Sequence, residues 1–138
     1  QADLIKCTRE EALWLFSSTD PVELQRRLPR RPALLITAGP EPVAWAMGGA
    51  SGLLPALAVQ AVDTTGAGDA FTAGLLHQLE RHPDLLTGGA DAGERQEALQ
   101  FAAACGALVC RAVGAIDPQP TAAEVVELLS RGTAAVGP

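Results

Sequence analysis

Aromatic side chains are scarce, at 4% of 138 residues, which excludes a core organised around large rings. Alanine and leucine supply much of the 48% hydrophobic content, so helices and strands are expected to approach closely, as in layered α/β domains. Runs of lysine or arginine are missing and the formal net charge is -6, leaving no basic stripe for the phosphates of nucleic acid or an anionic membrane. Neither is an expected partner. Long apolar runs are missing too. The longest, around Pro55 to Val62, is far short of the roughly 20 residues that span a bilayer, and no signal-peptide pattern opens the chain; a cytoplasmic location is expected. Cysteine is limited to Cys7, Cys105 and Cys110, without CxxC spacing. The last two would point to different faces of a helix. All three are expected to be small, reduced core residues.

What is present reads as alternating strands and helices over one domain-sized chain. Asp3 to Lys6 has the pattern of a short buried strand, and Thr8 with Glu11 has the capping-box spacing of a helix start. Leu13, Trp14, Leu15 and Phe16 are expected to form the apolar side of that helix. Asp20-Pro21 opens a second helix, and Ala33 to Thr37 is a continuous apolar run, the mark of a strand covered on both faces. After a turn at Gly39-Pro40-Glu41-Pro42, Val43 to Met47 reads as a returning strand that makes a hairpin-like pair, with a further turn at Gly48-Gly49. Leu57 to Val62 reads as another strand that runs into a glycine-rich turn and a helix through about His82. Pro83 to Gly93 is expected to be an exposed loop. Glu94 to Arg111 reads as a helix packed through Ala98, Ala102, Cys105 and Val109, and Pro120-Thr121 opens a last helix to about Arg131. Gln1 enters at once upon a strand, so an upstream segment is expected to be missing.

The sharpest signal is Asp63-Thr64-Thr65-Gly66-Ala67-Gly68-Asp69-Ala70-Phe71. Three small residues in a row let successive N–H groups converge on one point, and the helix that follows adds about half a positive elementary charge there. Gly66, Ala67 and Gly68 therefore make a candidate anion hole, suited to a phosphoryl group whose negative charge spreads in transit. Asp69 beside it is a candidate base toward an attacking hydroxyl. An isolated Gly-Asp pair would be an ordinary helix cap; the nine-residue string is what shifts the reading toward chemistry.

That string resembles, at every position, the carboxyl-terminal signature of the ribokinase or PfkB family of carbohydrate kinases. Around it, Ala2-Asp3-Leu4-Ile5-Lys6 with Thr8-Arg9-Glu10-Glu11 resembles the family's strand and N-x-x-E element. Leu35-Ile36-Thr37-Ala38-Gly39 resembles its T-x-G nucleotide turn. Phe101-Ala102-Ala103-Ala104 through Gly114-Ala115-Ile116 resembles its late helix and loop. The resemblance implies a ribokinase-like layered α/β fold, with a mostly parallel central sheet flanked by helices and the amino-terminal part missing. Residues 1–138 would then be the carboxyl-terminal, nucleotide-binding portion. It implies ATP-dependent phosphorylation of a sugar hydroxyl, with the motif and opening most like fructokinases. Asp69 would be the base and Gly66, Ala67 and Gly68 the anion hole. Thr8, Thr37, Gly39, Gly68 and Ala103 would line the ATP site, and Glu11 would organise Mg2+ through water. Asp63 and Thr65, with backbone carbonyls of Val109, Ala112 and Gly114, would hold a monovalent cation such as K+.

Some positions depart from the pattern. Thr8 stands where Asn or Ser is usual, Pro42 replaces a glycine, and Ala103 replaces a polar residue near the adenine. His77 and His82 lie too far along their helix to reach a phosphate, and solvent-facing roles are expected. Trp14 and Trp45 are expected to pack in the core or at an edge, and Arg26, Arg27, Arg30 and Arg31 to form a solvated face. Expected partners are ATP, a small sugar, the missing amino-terminal half and a second copy in a homodimer. The rival readings are a truncated or complemented nucleotide-binding module without activity of its own, a kinase for ribose, 2-keto-3-deoxygluconate or adenosine, and a degenerate kinase-like protein kept for protein contacts.

Overall fold

Capping chemistry decides where the first helices start. In the computed structural model, which describes residues 2–134, Thr8 ends β1 (Leu4–Thr8) and caps α1 (Arg9–Phe16). The Thr8 hydroxyl accepts from the Glu11 amide at 3.2 Å and the Glu11 carboxylate accepts from the Thr8 amide at 2.8 Å, the reciprocal box the spacing requires. Asp20 caps α2 (Pro21–Arg27) through the amides of Val22 at 2.8 Å and Glu23 at 3.2 Å. Pro21 stands at the first helical position, where its missing N–H would find no partner anyway. The buried side of α1 is narrower than expected. Ala12 is fully buried, whereas Leu13 and Leu15 are exposed and Trp14 is 84% exposed, because successive helical residues point about 100° apart and cannot share a face. Trp14 is therefore not a packing residue, although Trp45, 3% exposed, is.

The chain divides into two compact units: one runs through Ala56 and takes in His82–Gln96, the other holds Leu57–Arg81 and the residues from Glu97 onward. In the first, β2 (Ala33–Ala38), β3 (Glu41–Met47) and β4 (Ala50–Leu54) join β1 in a sheet of order β1-β2-β3-β4. The sheet is mixed rather than mostly parallel: β1 and β2 pair in parallel, while β2–β3 and β3–β4 are antiparallel. The reason lies in the connections. Two-residue links can only reverse the chain, and Gly48 and Gly49 at φ +57° and +88° have the left-handed backbone that a tight hairpin needs. Residues 50–54 carried no strand signal, since Ser51 and Gly52 are poor strand formers. Gly52 pairs with Trp45, and a Cβ on it would come within 3.1 Å of the indole; the ring covers the bare backbone. Cys7, Ala12, Leu24, Leu34 and Ile36 form the apolar core of this unit.

The stretch from Pro83 to Gly93 is ordered, not an exposed loop throughout. It holds a 3-10 turn at Pro83–Leu86 and the start of α4 (Ala92–Val109), and Leu85 and Ala90 are buried. Arg95, 2% exposed, organises it by donating to the carbonyls of Leu85 at 2.8 Å, Asp91 at 3.1 Å, Ala90 and Thr87. Four carbonyl dipoles thus replace water around a buried guanidinium.

In the second unit, α3 (Ala67–Arg81) packs on α4, and α5 (Ala122–Ala134) begins at a capping box in which the Glu124 carboxylate accepts from the Thr121 amide and hydroxyl, each at 2.7 Å. Ala98, Ala102, Cys105 and Val109 are buried as their spacing predicts. At Gly74 a Cβ would lie 2.7 Å from the Cys105 sulfur and 3.1 Å from Ala102 Cα, so α3 and α4 meet almost backbone to backbone. The three cysteines are free and buried, and burial pushes each thiol pKa up. Leu57 to Val62 is not a strand. Its apolar side chains suit one, but among the described residues no strand pairs with it. It is held instead by Leu57, which packs on the core of this unit, and by the Val62 amide, which donates to the Cys110 carbonyl at 2.7 Å.

Candidate active site

Each unit presents part of the predicted site. In the first, β1 and β2 run in parallel and end together, with Thr8 and Thr37 as Cα partners. The chain then turns into α1 after Thr8 and through Gly39, at φ +57°, after β2. The carboxyl ends of parallel strands are where open α/β sheets receive ligands. Thr8, Glu11, Thr37 and Gly39 are thereby gathered at one edge. Thr37 donates to the Cys7 carbonyl at a long 3.4 Å. The ladder from β2 to β3 shifts between Ile36 and Ala38, opposite Pro42, which has no N–H to give. Glu11 spends one carboxylate oxygen on the Thr8 amide. An exposed ion pair, Arg9 to Glu41 at 2.8 Å, links the start of α1 to the start of β3.

The second unit holds the glycine loop. α3 begins at Ala67, so Ala67, Gly68 and Asp69 are its first turn and Gly66, at φ +80°, precedes it. The Gly66 carbonyl accepts from Ala70 at 2.9 Å, the first bond of the helix. The Ala67 amide is occupied by the Thr64 carbonyl at 3.2 Å. Among the described residues the amides of Gly66, Gly68 and Asp69 have no acceptor, as the first amides of a helix must unless a cap or a ligand supplies one. Of the three residues expected to form the anion hole, Gly66 and Gly68 have free amides and Ala67 does not. Asp69 supplies the third free amide, and its carboxylate is exposed on the first turn without a hydrogen-bond partner in the described residues.

Behind this loop, Asp63 accepts from the Thr65 amide at 2.9 Å, the Thr65 hydroxyl at 2.7 Å and the Gly114 amide at 3.0 Å. These donors, the Gly114 amide foremost, hold its pKa down at about 2. Asp63, Thr65 and Gly114 are thus brought together. Val109 is the last residue of α4 and Ala112 lies just after it, its amide reaching the Val109 carbonyl at 3.4 Å. Ala103 is half-buried on α4. A cavity of about 290 Å³ between α3, α4 and the start of α5 is lined by His77, Phe101 and Cys105 among others and by none of the predicted site residues. His77, exposed as expected, stacks on Phe101 at 5.7 Å between centroids.

Sequence reasoning missed three supports of the loop. A Cβ on Gly106 would lie 2.9 Å from the Ala67 carbonyl, and one on Gly66 would lie 2.6 Å from Ala115 Cβ. The Cys110 carbonyl accepts from Val62 and Asp63. Only Gly106 left a signal: a glycine inside a helix costs about 1 kcal/mol against alanine and so asks for a packing reason.

Fold and site together define a layered α/β protein with a glycine-rich loop at a helix mouth. The profile of the pfkB family carbohydrate kinases matches residues 1–122, and the chain belongs to that family. The probable fructokinase-6 (chloroplastic) of Arabidopsis thaliana is 44% identical over 132 residues, covering 93% of this chain and 34% of the relative. The crystal structure of a fructokinase from Xylella fastidiosa with bound ATP superimposes with a TM-score of 0.83 at 30% identity, over 96% of this chain and 44% of that one. A double-mutant fructokinase from Vibrio cholerae O395, holding fructose, ADP and a potassium ion, gives a TM-score of 0.77 at 28% identity, over 93% and 41% of the two chains. The fold is ribokinase-like, and the chain spans 34 to 44% of the length of these three proteins. Among the described residues no helix is long and apolar enough to cross a membrane.

Proposed function

We propose that the protein transfers the γ-phosphoryl group of ATP to a sugar hydroxyl, with fructose as acceptor, and that this chain is its carboxyl-terminal, nucleotide-binding portion. One observation carries the reading: the amides of Gly66, Gly68 and Asp69 stand without acceptors at the mouth of a 15-residue helix whose first turn also bears the Asp69 carboxylate. A phosphoryl group in transit would receive hydrogen bonds from those amides and the favourable end of the helix dipole. Asp69 would take the proton of the incoming hydroxyl as the bond to phosphorus forms and that to the ADP oxygen breaks. Thr8, Thr37 and Gly39 would border the nucleotide at the ends of β1 and β2, and Ala103 would offer the base a small apolar surface.

Among the described residues no cluster of three His, Cys, Asp or Glu side chains could hold a metal, which fits a Mg2+ carried by the phosphates and steadied through water by the free oxygen of Glu11. The magnesium would neutralise phosphate charge. The ligands proposed for a cation beside Asp63, namely its carboxylate, Thr65 and the carbonyls of Val109, Ala112 and Gly114, would all be oxygens. Such a set suits a hard cation such as K+. The fructose assignment draws support from the fructokinase relatives, one of whose structures holds fructose and ADP.

Purified full-length protein, supplied with ATP and magnesium, is expected to form ADP on addition of fructose, and faster than with ribose, 2-keto-3-deoxygluconate or adenosine. A preference for another of these acceptors would overturn the fructose assignment, and no acceptor-dependent ADP at all would overturn the kinase.

A further inference from the structure

The amides that face the proposed phosphate have no partner in front, so their direction is set entirely from behind. Four contacts do this. The Val62 and Asp63 amides both donate to the Cys110 carbonyl, at 2.7 and 3.2 Å. Gly106 lies against the Ala67 carbonyl and Ala115 against Gly66, each so close that a Cβ on the glycine would clash. The fourth contact is made by a side chain. Asp63 Oδ1 accepts from the Thr65 amide and hydroxyl, and Oδ2 accepts from the Gly114 amide, 51 residues further along the chain. Both sides of the carboxylate therefore meet donors, three in all. An asparagine could satisfy one side but would turn its NH2 toward an N–H on the other, whichever way it flipped. The constellation calls for an anionic, acceptor-only group.

We infer that Asp63 is a positioning residue that straps the Thr65–Gly68 loop to the Ala112–Ala115 turn, and that it does so whether or not a cation is bound beside it. The inference rests on the phosphate reading for its function but on hydrogen bonds alone for its geometry. A ligand-only role for Asp63 would leave the two loops independent until potassium arrived. A strap joins them beforehand and presents the Gly66, Gly68 and Asp69 amides already oriented, so that little ordering remains when a phosphate binds.

The two roles separate in a buffer whose only monovalent cation is choline. In amide exchange and 15N NMR on the 138-residue chain, Gly114 should be protected without potassium. In Asp63→Ala that protection should fall at least tenfold, and the Gly66 and Gly68 resonances should move although neither residue was changed. Amides of β2 should be unaffected. Asp63→Asn should lose one side of the strap, and Thr65→Val, a milder change that keeps the carboxylate, should leave Gly114 protected; these two carry the test if Asp63→Ala does not fold. Unprotected Gly114 in the unsubstituted chain without potassium, or Gly66 and Gly68 resonances indifferent to residue 63, would overturn the inference. Titration with inorganic phosphate supplies the second arm. Its affinity should drop about tenfold in Asp63→Ala. If the unsubstituted chain binds no phosphate while residue 63 still moves the loop, the strap stands and the kinase reading is what fails.

Discussion

At the scale of single residues, the glycine loop combines two demands that only particular side chains meet. Gly66 needs a positive φ and has no room for a Cβ beside Ala115. A left-handed backbone alone costs a non-glycine residue roughly 1–2 kcal/mol, and the clash adds to it, so Gly66→Ala should lower the stability of the chain by on the order of 2 kcal/mol or more in urea unfolding. Asp69 has the opposite character: it is exposed, bonded to nothing in the described residues, and costs the fold little to change. Asp69→Asn should therefore leave the melting temperature nearly unmoved while reducing kcat of the full-length protein by roughly 10²–10⁴-fold, the usual range for a lost general base, with KM for ATP little altered. A variant that kept its kcat would remove Asp69 from the chemistry. Asp63 and Asp69 are both readable in the motif, and the family resemblance set Gly114 beside Asp63 as a carbonyl in a cation site; that the Gly114 amide donates to the carboxylate was not legible, because the two are distant in sequence.

The helices α1, α2, α4 and α5 each begin at a carboxylate that accepts from a backbone amide. Glu124 accepts from the Thr121 amide and hydroxyl at the start of α5, and those bonds hold its pKa below the ordinary value. Asp63 is held lower still, at about 2. For groups shifted downward, the stabilisation is fully present above the unfolded pKa and is lost as pH falls through the folded one. The melting temperature should accordingly decline as pH drops below about 4, and Glu124→Gln should flatten part of that decline. Indifference of the slope to Glu124 would show the cap to be worthless. Arg95 is a different kind of anchor, since its substitution by Met would strand the carbonyls of Leu85, Thr87 and Ala90, while Asp91 keeps the backbone amide of residue 95. A loss on the order of 3 kcal/mol is expected, with exchange of the Thr87–Ala90 amides accelerating first. The capping box of α1, the opening of α5 at Thr121 and the packing stripe of α4 were legible because they depend on residues close by in the chain. β4 was not, since Gly52 relies on Trp45 across the hairpin, and the false strand at Leu57–Val62 had the right side chains but no partner.

For the whole molecule, the family and the ribokinase-like fold agree with the motif, its order and its flanking elements. The chain also spans well under half the length of the relatives compared with it. If the oxygen set around Asp63 takes potassium in the full-length protein, replacing potassium by choline should reduce its phosphoryl-transfer rate several-fold, with recovery on adding potassium back. A rate unaffected by the exchange would exclude the cation. The amino-acid sequence by itself determined the chemistry on offer: consecutive small residues before a helix, a carboxylate in its first turn and local caps, all properties of short stretches governed by backbone sterics and hydrogen bonds over one helical turn. Tertiary structure alone decided which of those amides stay free, that Arg95 is buried among carbonyls and that the Gly114 amide donates to Asp63. Those outcomes depend on which distant backbone groups come within 3 Å of one another, and sequence spacing does not encode that distance.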